Sequence, residues 1–101
     1  MRSLEPPDPV IHAPLRLALM TILAGVREAD FVFLRESTGA TDGNLSTHLF
    51  KLEEAKYIRA TKKFEDRKPK TRFTLTADGR KALENYIATI EQYIKLSRPA
   101  K

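Results

Sequence analysis

The sequence predicts a mainly α-helical fold with one small β-hairpin. Three observations carry this. Apolar residues recur at three- and four-residue spacing around Leu15–Val26, Leu45–Leu52 and Leu83–Ile94, the period of helices with one buried face. Thr71–Leu75 instead alternates, with Phe73 and Leu75 on one side and Arg72 and Thr74 on the other, the period of a half-buried strand. Before it, Tyr57–Lys63 starts with β-formers, and the intervening Phe64–Lys70 is rich in charge and turn formers.

The elements follow in order. Pro6, Pro7 and Pro9 forbid a helix at the N-terminus. Residues 1–10 are expected to form an extended arm, either a free tail or a strap on a partner subunit. The first helix should run from Ile11 or Ala13 to Val26, with Pro14 in its first turn, where the missing N–H costs nothing. Leu15, Leu19, Ile22 and Val26 form its main stripe. Leu17, Met20 and Ala24 form a second apolar patch, which predicts burial on two sides, by the last helix or by a second subunit.

A short second helix is bounded by Asp30 as N-cap and by Gly39 as a left-handed stop, with Phe31 and Leu34 facing the core. Only Ala40 and Thr41 separate Gly39 from the third helix, predicted over residues 41–55. Two helices joined by so short a glycine-containing turn make a helix-turn-helix unit, whose second helix reads DNA. In the third helix Thr41 is the cap and Asp42 suits the positive end of the dipole. Leu45, Leu49 and Leu52 form a narrow buried stripe, and the outward side is small and polar. Such a face offers hydroxyls and an amide to base edges in the major groove. His48 flanks the stripe, positioned to bond backbone or phosphate. Phe50, on the polar side, suits a thymine methyl or, by preference, a place beneath the wing or a partner's arm.

The hairpin follows as a wing. Lys62, Lys63, Arg67, Lys68, Lys70 and Arg72 are opposed only by Glu65 and Asp66, so this segment holds most of the net positive charge. A basic hairpin tip follows phosphates or enters the minor groove. Pro69 must lie at the tip or on an unpaired edge. Thr76 then caps a helix over residues 77–97, leaving 98–101 as a tail. Its stripe is Leu83, Ile87, Ile90 and Ile94, flanked by Tyr86 and Tyr93. A helix of about 20 residues spans about 30 Å, more than a small core covers. Its outer half therefore predicts a dimer, and the expected interface comprises Leu17, Met20, Leu83, Tyr86, Ile87, Ile90, Tyr93 and Ile94.

Composition bounds the function. The 101 residues suit one domain, and the formal charge of +5 fits a polyanion partner. There are no cysteines and only two histidines, His12 and His48, so no metal site and no cofactor are expected. No catalytic constellation, phosphate-binding glycine loop or nucleophile elbow is present, and an enzyme is not expected. No apolar run approaches the roughly 18 residues of a membrane span. The proline-rich, acidic N-terminus is unlike a secretory signal, and a cytoplasmic protein is the simplest reading.

Three stretches together resemble a known family: P-LRLALMTIL (Pro14–Leu23), DFVFLRESTGATDGNLSTHLFKLEEAKYI (Asp30–Ile58) and KTRFTLTADGRKALENY (Lys70–Tyr86). They resemble the small winged-helix transcriptional regulators related to the MarR and ArsR groups, in particular the compact winged helix DNA-binding domain proteins. The resemblance implies a winged helix-turn-helix homodimer, paired through its terminal helices, that binds double-stranded DNA and regulates transcription, in the first instance as a repressor. It places DNA contacts on Thr41, Asp42, Gly43, Asn44, Ser46, Thr47, His48 and Lys51 of the recognition helix. It places the wing contacts on Lys62, Lys63, Arg67, Lys68, Lys70 and Arg72. Lys56 stands where the family usually has glycine, Phe50 where a small or polar residue is usual, and the cysteine metal-sensing site of many ArsR-like repressors is absent. Two alternatives accompany this reading. One is a protein-interaction module using the Phe50 face. The other is a ligand-responsive regulator with a pocket lined by Phe33, Met20 or Tyr86.

Overall fold

The computed structural model describes residues 4–100, so the first three residues of the expected arm and the last of the expected tail lie outside the described residues. Helix α1 spans Pro14–Ala24, strand β1 Ala29–Asp30, α2 Phe31–Thr38, α3 Asp42–Glu54, β2 Ile58–Glu65, β3 Lys68–Leu75 and α4 Ala77–Ser97. The strands form one antiparallel sheet in the order β1-β3-β2. Together these make a winged helix.

The helix boundaries follow from their caps. Pro14 opens α1, which stops before Gly25, short of the expected Val26. Arg80 of α4 donates to the terminal Ala24 carbonyl at 3.3 Å, meeting an acceptor the helix leaves free. The Asp30 carboxylate accepts from Phe33 N–H at 2.8 Å and starts α2. Gly39, at φ 71°, ends it in the left-handed conformation that glycine adopts without penalty. Thr41 and Thr76 cap α3 and α4 by accepting from Asn44 N–H and Gly79 N–H.

The core lies where α1, α2 and α3 meet the sheet. Leu19, Met20, Leu23, Leu34, Leu45, Leu49, Leu52, Ile58 and Phe73 are buried in it. Ile11 joins them, completely buried although it precedes α1. The arm is therefore neither a free tail nor a strap reserved for a partner along residues 8–11. Asp8 accepts from Val10 N–H at 2.9 Å and from the Tyr57 hydroxyl at 2.6 Å, which pins the arm to the start of the hairpin. That bond, with burial, pushes the Tyr57 pKa up to about 12.

The sheet departs from expectation in two ways. Strand β1 has no sequence signature, because its two residues pair with Phe73 and Arg72 of β3 purely through tertiary docking. The hairpin is also longer and its turn tighter than Phe64–Lys70 suggests. Glu65 pairs with Lys68, leaving only Asp66 and Arg67 in the loop. Both have positive φ, 50° and 65°, the signature of a type I′ turn. Pro69 thus lies within β3, opposite Phe64. Pairs alternate along an antiparallel ladder, and this one follows the hydrogen-bonded Glu65–Lys68 pair. The proline nitrogen consequently points away from β2, on the side where β1 no longer reaches.

The exit from α3 is closed by Lys56 at φ 66°. Lys56 N–H bonds Glu53 O at 2.9 Å and Tyr57 N–H bonds Leu52 O at 3.0 Å. This is a complete Schellman cap, normally finished by glycine. The lysine makes the exit as tight as glycine would, at a conformational cost of about 1 kcal/mol.

Only the inner part of α4 is covered, with Gly79, Leu83 and Tyr86 buried. Ile87 and Ile94 are both 48% exposed, and Ile90 and Tyr93 are half-buried.

Candidate nucleic-acid interface

Helix α3 presents its polar side to solvent. Thr41, Asp42, Gly43, Asn44, Ser46, Thr47 and Lys51 are all exposed, while Leu45, Leu49 and Leu52 hold the helix to the core. Not all of these residues are equally free. The Thr41 hydroxyl already accepts from Asn44 N–H at 3.2 Å, and the Asp42 carboxylate is ion-paired with Arg35 of α2 at 3.1 Å. A Cβ added to Gly43 would meet no atom within 4 Å. The glycine therefore serves no packing need and leaves a flat spot on the outer surface of the first turn.

His48 turns toward α1 rather than outward. Its Nδ1 accepts from the Arg16 guanidinium at 2.9 Å. Arginine has no acceptor, so the proton of the neutral ring must sit on Nε2, which remains a donor. Burial, then the charges of Arg16 and Lys51, hold its pKa below the ordinary histidine value. Arg16 was not singled out in the sequence. It also donates to the carbonyls of Val10 and Pro9, so a single side chain ties the arm and α1 to the recognition helix. Only its position on the flank of the α1 stripe hinted at this.

Phe50 is 62% exposed and does not pack beneath the wing. The pocket expected among Phe33, Met20 and Tyr86 is not assembled within this chain either. Met20 has no exposed surface, Tyr86 is buried with its hydroxyl 2.8 Å from His12 Nδ1, and Phe33 is open to solvent on α2. Burial likewise removes Met20, Leu83 and Tyr86 from any surface offered to a second subunit, because their own chain covers them. Leu17, Ile87, Ile90, Tyr93 and Ile94 keep exposed area.

The wing has two unlike faces. Residues paired across an antiparallel ladder share a face, and the register assigns Thr61–Arg72, Lys63–Lys70 and Glu65–Lys68 to one side. That side is largely charge-compensated. Arg72 is paired with Glu65 and, at 3.6 Å, with Asp30; Lys70 reaches Asp30 at 3.2 Å and Glu65 at 3.7 Å; Lys63 reaches Glu28 at 3.3 Å. The Arg72 hydrogen bond holds the Glu65 pKa below its usual value, and the backbone hydrogen bond from Phe33 does the same for Asp30. Lys63, Lys70 and Arg72 therefore fasten the hairpin to β1 and to Glu28 just before it. Among the described residues, Lys62, Arg67 and Lys68 have no ion pair. The opposite face continues the core outward, from Ala60–Phe73 through Lys62–Thr71 to Phe64–Pro69.

An exposed polar helix after a glycine turn, followed by a hairpin with uncompensated cations at its tip, is the arrangement that reads a groove and grips its flanks. The winged helix DNA-binding domain family matches residues 15–94. The chain belongs to that family. It is a family of winged helix DNA-binding domains. The chain is 35% identical over 86 residues to the uncharacterized protein MJ0432 of Methanocaldococcus jannaschii, covering 85% of this chain and 94% of that protein. Its structure is similar to the transcriptional regulator homologue protein of Pyrococcus horikoshii OT3, with a TM-score of 0.82, 26% identity and 89% of each chain covered. It also shares the fold of a transcriptional regulator of the MarR family from Enterococcus faecalis V583, with a TM-score of 0.70, 22% identity, and 86% and 77% of the two chains covered. The winged-helix protein described here is thus of the MarR type in fold. Among the described residues no helix is long and apolar enough to cross a membrane.

Proposed function

We propose that this winged-helix protein is a homodimeric, sequence-specific regulator of transcription that represses by occupying duplex DNA in the cytoplasm. The exposed polar side of α3, held to the core by its leucines and free of covering side chains, is the observation that carries this reading. Asn44, Ser46 and Thr47 offer amide and hydroxyl groups to base edges in the major groove. His48 Nε2–H and Lys51 suit phosphates on the helix flank, and Thr41 and Asp42 act chiefly by starting the helix. Lys62, Arg67 and Lys68 grip the backbone beside the groove, and Lys63, Lys70 and Arg72 support them by holding the wing in place.

The dimer reading rests on the outer half of α4. Exposed Ile87 and Ile94, with half-buried Ile90 and Tyr93 between them, form an apolar stripe that its own chain covers only in part. A stripe of this kind is expected to bury itself against a second copy, with Leu17 at the edge. Two-fold symmetry then predicts a roughly palindromic operator with half-sites about one helical turn apart, or a multiple of it.

Fluorescence anisotropy against random-sequence duplex over a salt series, with the mass from light scattering, tests the proposal. The expected result is a dimer whose affinity falls steeply with salt. Arg67→Ala or Lys68→Ala weakens all sequences alike and lowers the salt slope by about one. Asn44→Ala or Thr47→Ala instead changes the preferred sequence in a selection from a random pool. Absence of binding at low salt would overturn the proposal.

A further inference from the structure

We infer that Phe64 is an apolar wedge which the wing inserts into the minor groove, flanked by cations that hold the adjoining phosphates. This rests on the DNA-binding reading above and adds an apolar contact to it. Phe64 is 78% exposed, more than any other large apolar side chain described. Its cross-strand partner Pro69 is also exposed and shares its face of the hairpin. The two form a non-hydrogen-bonded pair, the kind that brings side chains closest. They make an apolar tip standing clear of the core, since Lys62–Thr71 separates it from Ala60–Phe73.

Charge identifies the occupant. Two carboxylates lie at the tip: Asp66 is in the turn itself, and Glu65 is turned to the other face and neutralised by Arg72 and Lys70. Lys62 lies on the face of Phe64, Arg67 is in the turn and Lys68 follows it on the opposite face, all without an ion pair among the described residues, so the free cations at this end of the wing outnumber Asp66. An exposed aromatic ring with a net excess of free cations beside it and in the adjoining turn suits a polyanion with apolar base edges between its phosphates. Addition of a strand from another protein is disfavoured, because Pro69 offers no N–H on the open side of β3. Shape agrees. The loop is only two residues long, so a single ring leads the approach, and side chains of this kind wedge between base steps from the minor groove. The sheet face that bears Phe64 is the one whose Ile58 and Phe73 are buried against the helices. The ring therefore lies on the helix-facing side of the wing, beyond the end of the core.

The sequence contains no tryptophan, so Phe64→Trp supplies a single reporter at the wing tip. In the full chain its emission is expected to be quenched when random-sequence duplex is added, and to recover when netropsin fills the minor groove. Phe64→Ala is expected to bind about tenfold more weakly, the scale of one base–aromatic contact. Its salt slope should match that of the unaltered protein, since no charge is lost; Arg67→Ala lowers the slope. Circular dichroism checks the fold of both variants. Unchanged tryptophan emission at saturating DNA would overturn the wedge, as would full affinity in Phe64→Ala or a shift of that variant from dimer to monomer. In each case binding by the unaltered protein would leave the DNA reading standing. Failure of the unaltered protein to bind would remove both.

Discussion

Arg16 donates to Nδ1 of His48 across 2.9 Å and so joins α1 to the recognition helix. The contact requires a neutral imidazole, because a protonated ring has no acceptor and would face a guanidinium. The folded-state pKa of His48 is accordingly lowered, by burial first and then by Arg16 and Lys51. A depressed value means that folding favours the neutral ring. Its contribution to stability is present above the unfolded pKa, near 6.5, and is lost as pH falls through the folded value. Thermal unfolding between pH 7.5 and 5 is expected to show this loss, and His48→Gln is expected to flatten it. An equally steep profile in the variant would assign the acid limb to other groups.

Tyr57 gives the opposite limb. Its hydroxyl donates to Asp8 at 2.6 Å, and its pKa stands at about 12. Raised above the unfolded value of about 10, this group contributes fully below pH 10 and loses its contribution as pH rises toward 12. Tyr57→Phe is expected to cost about 1–2 kcal/mol at neutral pH, the range for a partly exposed hydrogen bond to a charged acceptor. Denaturant unfolding at pH 7 and pH 11 checks both statements, since the difference between variant and parent must shrink at the higher pH.

Lys56→Gly is expected to stabilise the protein by about 1 kcal/mol, because φ 66° costs a lysine and not a glycine. The larger unfolded-state entropy of glycine offsets part of that gain. Loss of stability in this variant would show that the Lys56 side chain makes a compensating contact in solution.

Gly79 and Gly43 are expected to respond in contrasting ways to alanine. A Cβ on Gly79 would lie 2.0 Å from the Tyr57 carbonyl oxygen, a backbone atom that cannot step aside. Thr76 N–H and its hydroxyl bond the same oxygen, at 3.0 and 3.1 Å, so the start of α4 is locked there. Gly79→Ala should destabilise the fold by several kcal/mol, on the order of the largest point-mutant effects.

At Gly43 the space is open. Gly43→Ala should raise stability by about 0.5–1 kcal/mol through helix propensity. If the first turn of α3 approaches DNA closely, the same variant binds duplex more weakly. A gain in Tm with unchanged affinity would remove Gly43 from the interface.

The helices, their caps and the order of the elements are legible in the residues alone. Asp30, Gly39, Thr41 and Thr76 are local signals, since each meets backbone groups within a few residues of itself. The leucine stripe of α3 and the alternation around Phe73 likewise report which side is buried. The rest depends on contacts between distant parts of the chain. Strand β1 exists only because Ala29 and Asp30 dock on β3, and two residues carry no periodicity to read. The wing turn was obscured because Asp66 and Arg67 adopt left-handed conformations that glycine or asparagine would have advertised. Which wing cations are spent within the fold depended on Glu28, Asp30 and Glu65 coming alongside them. Met20 moved from interface to core for a similar reason. Periodicity shows that a residue has an apolar environment, but it does not say whether the same chain or a second one supplies it. Local propensity acts over a turn or two of backbone; charge pairing and burial are set by residues far apart in the chain, and only the folded arrangement brings them together.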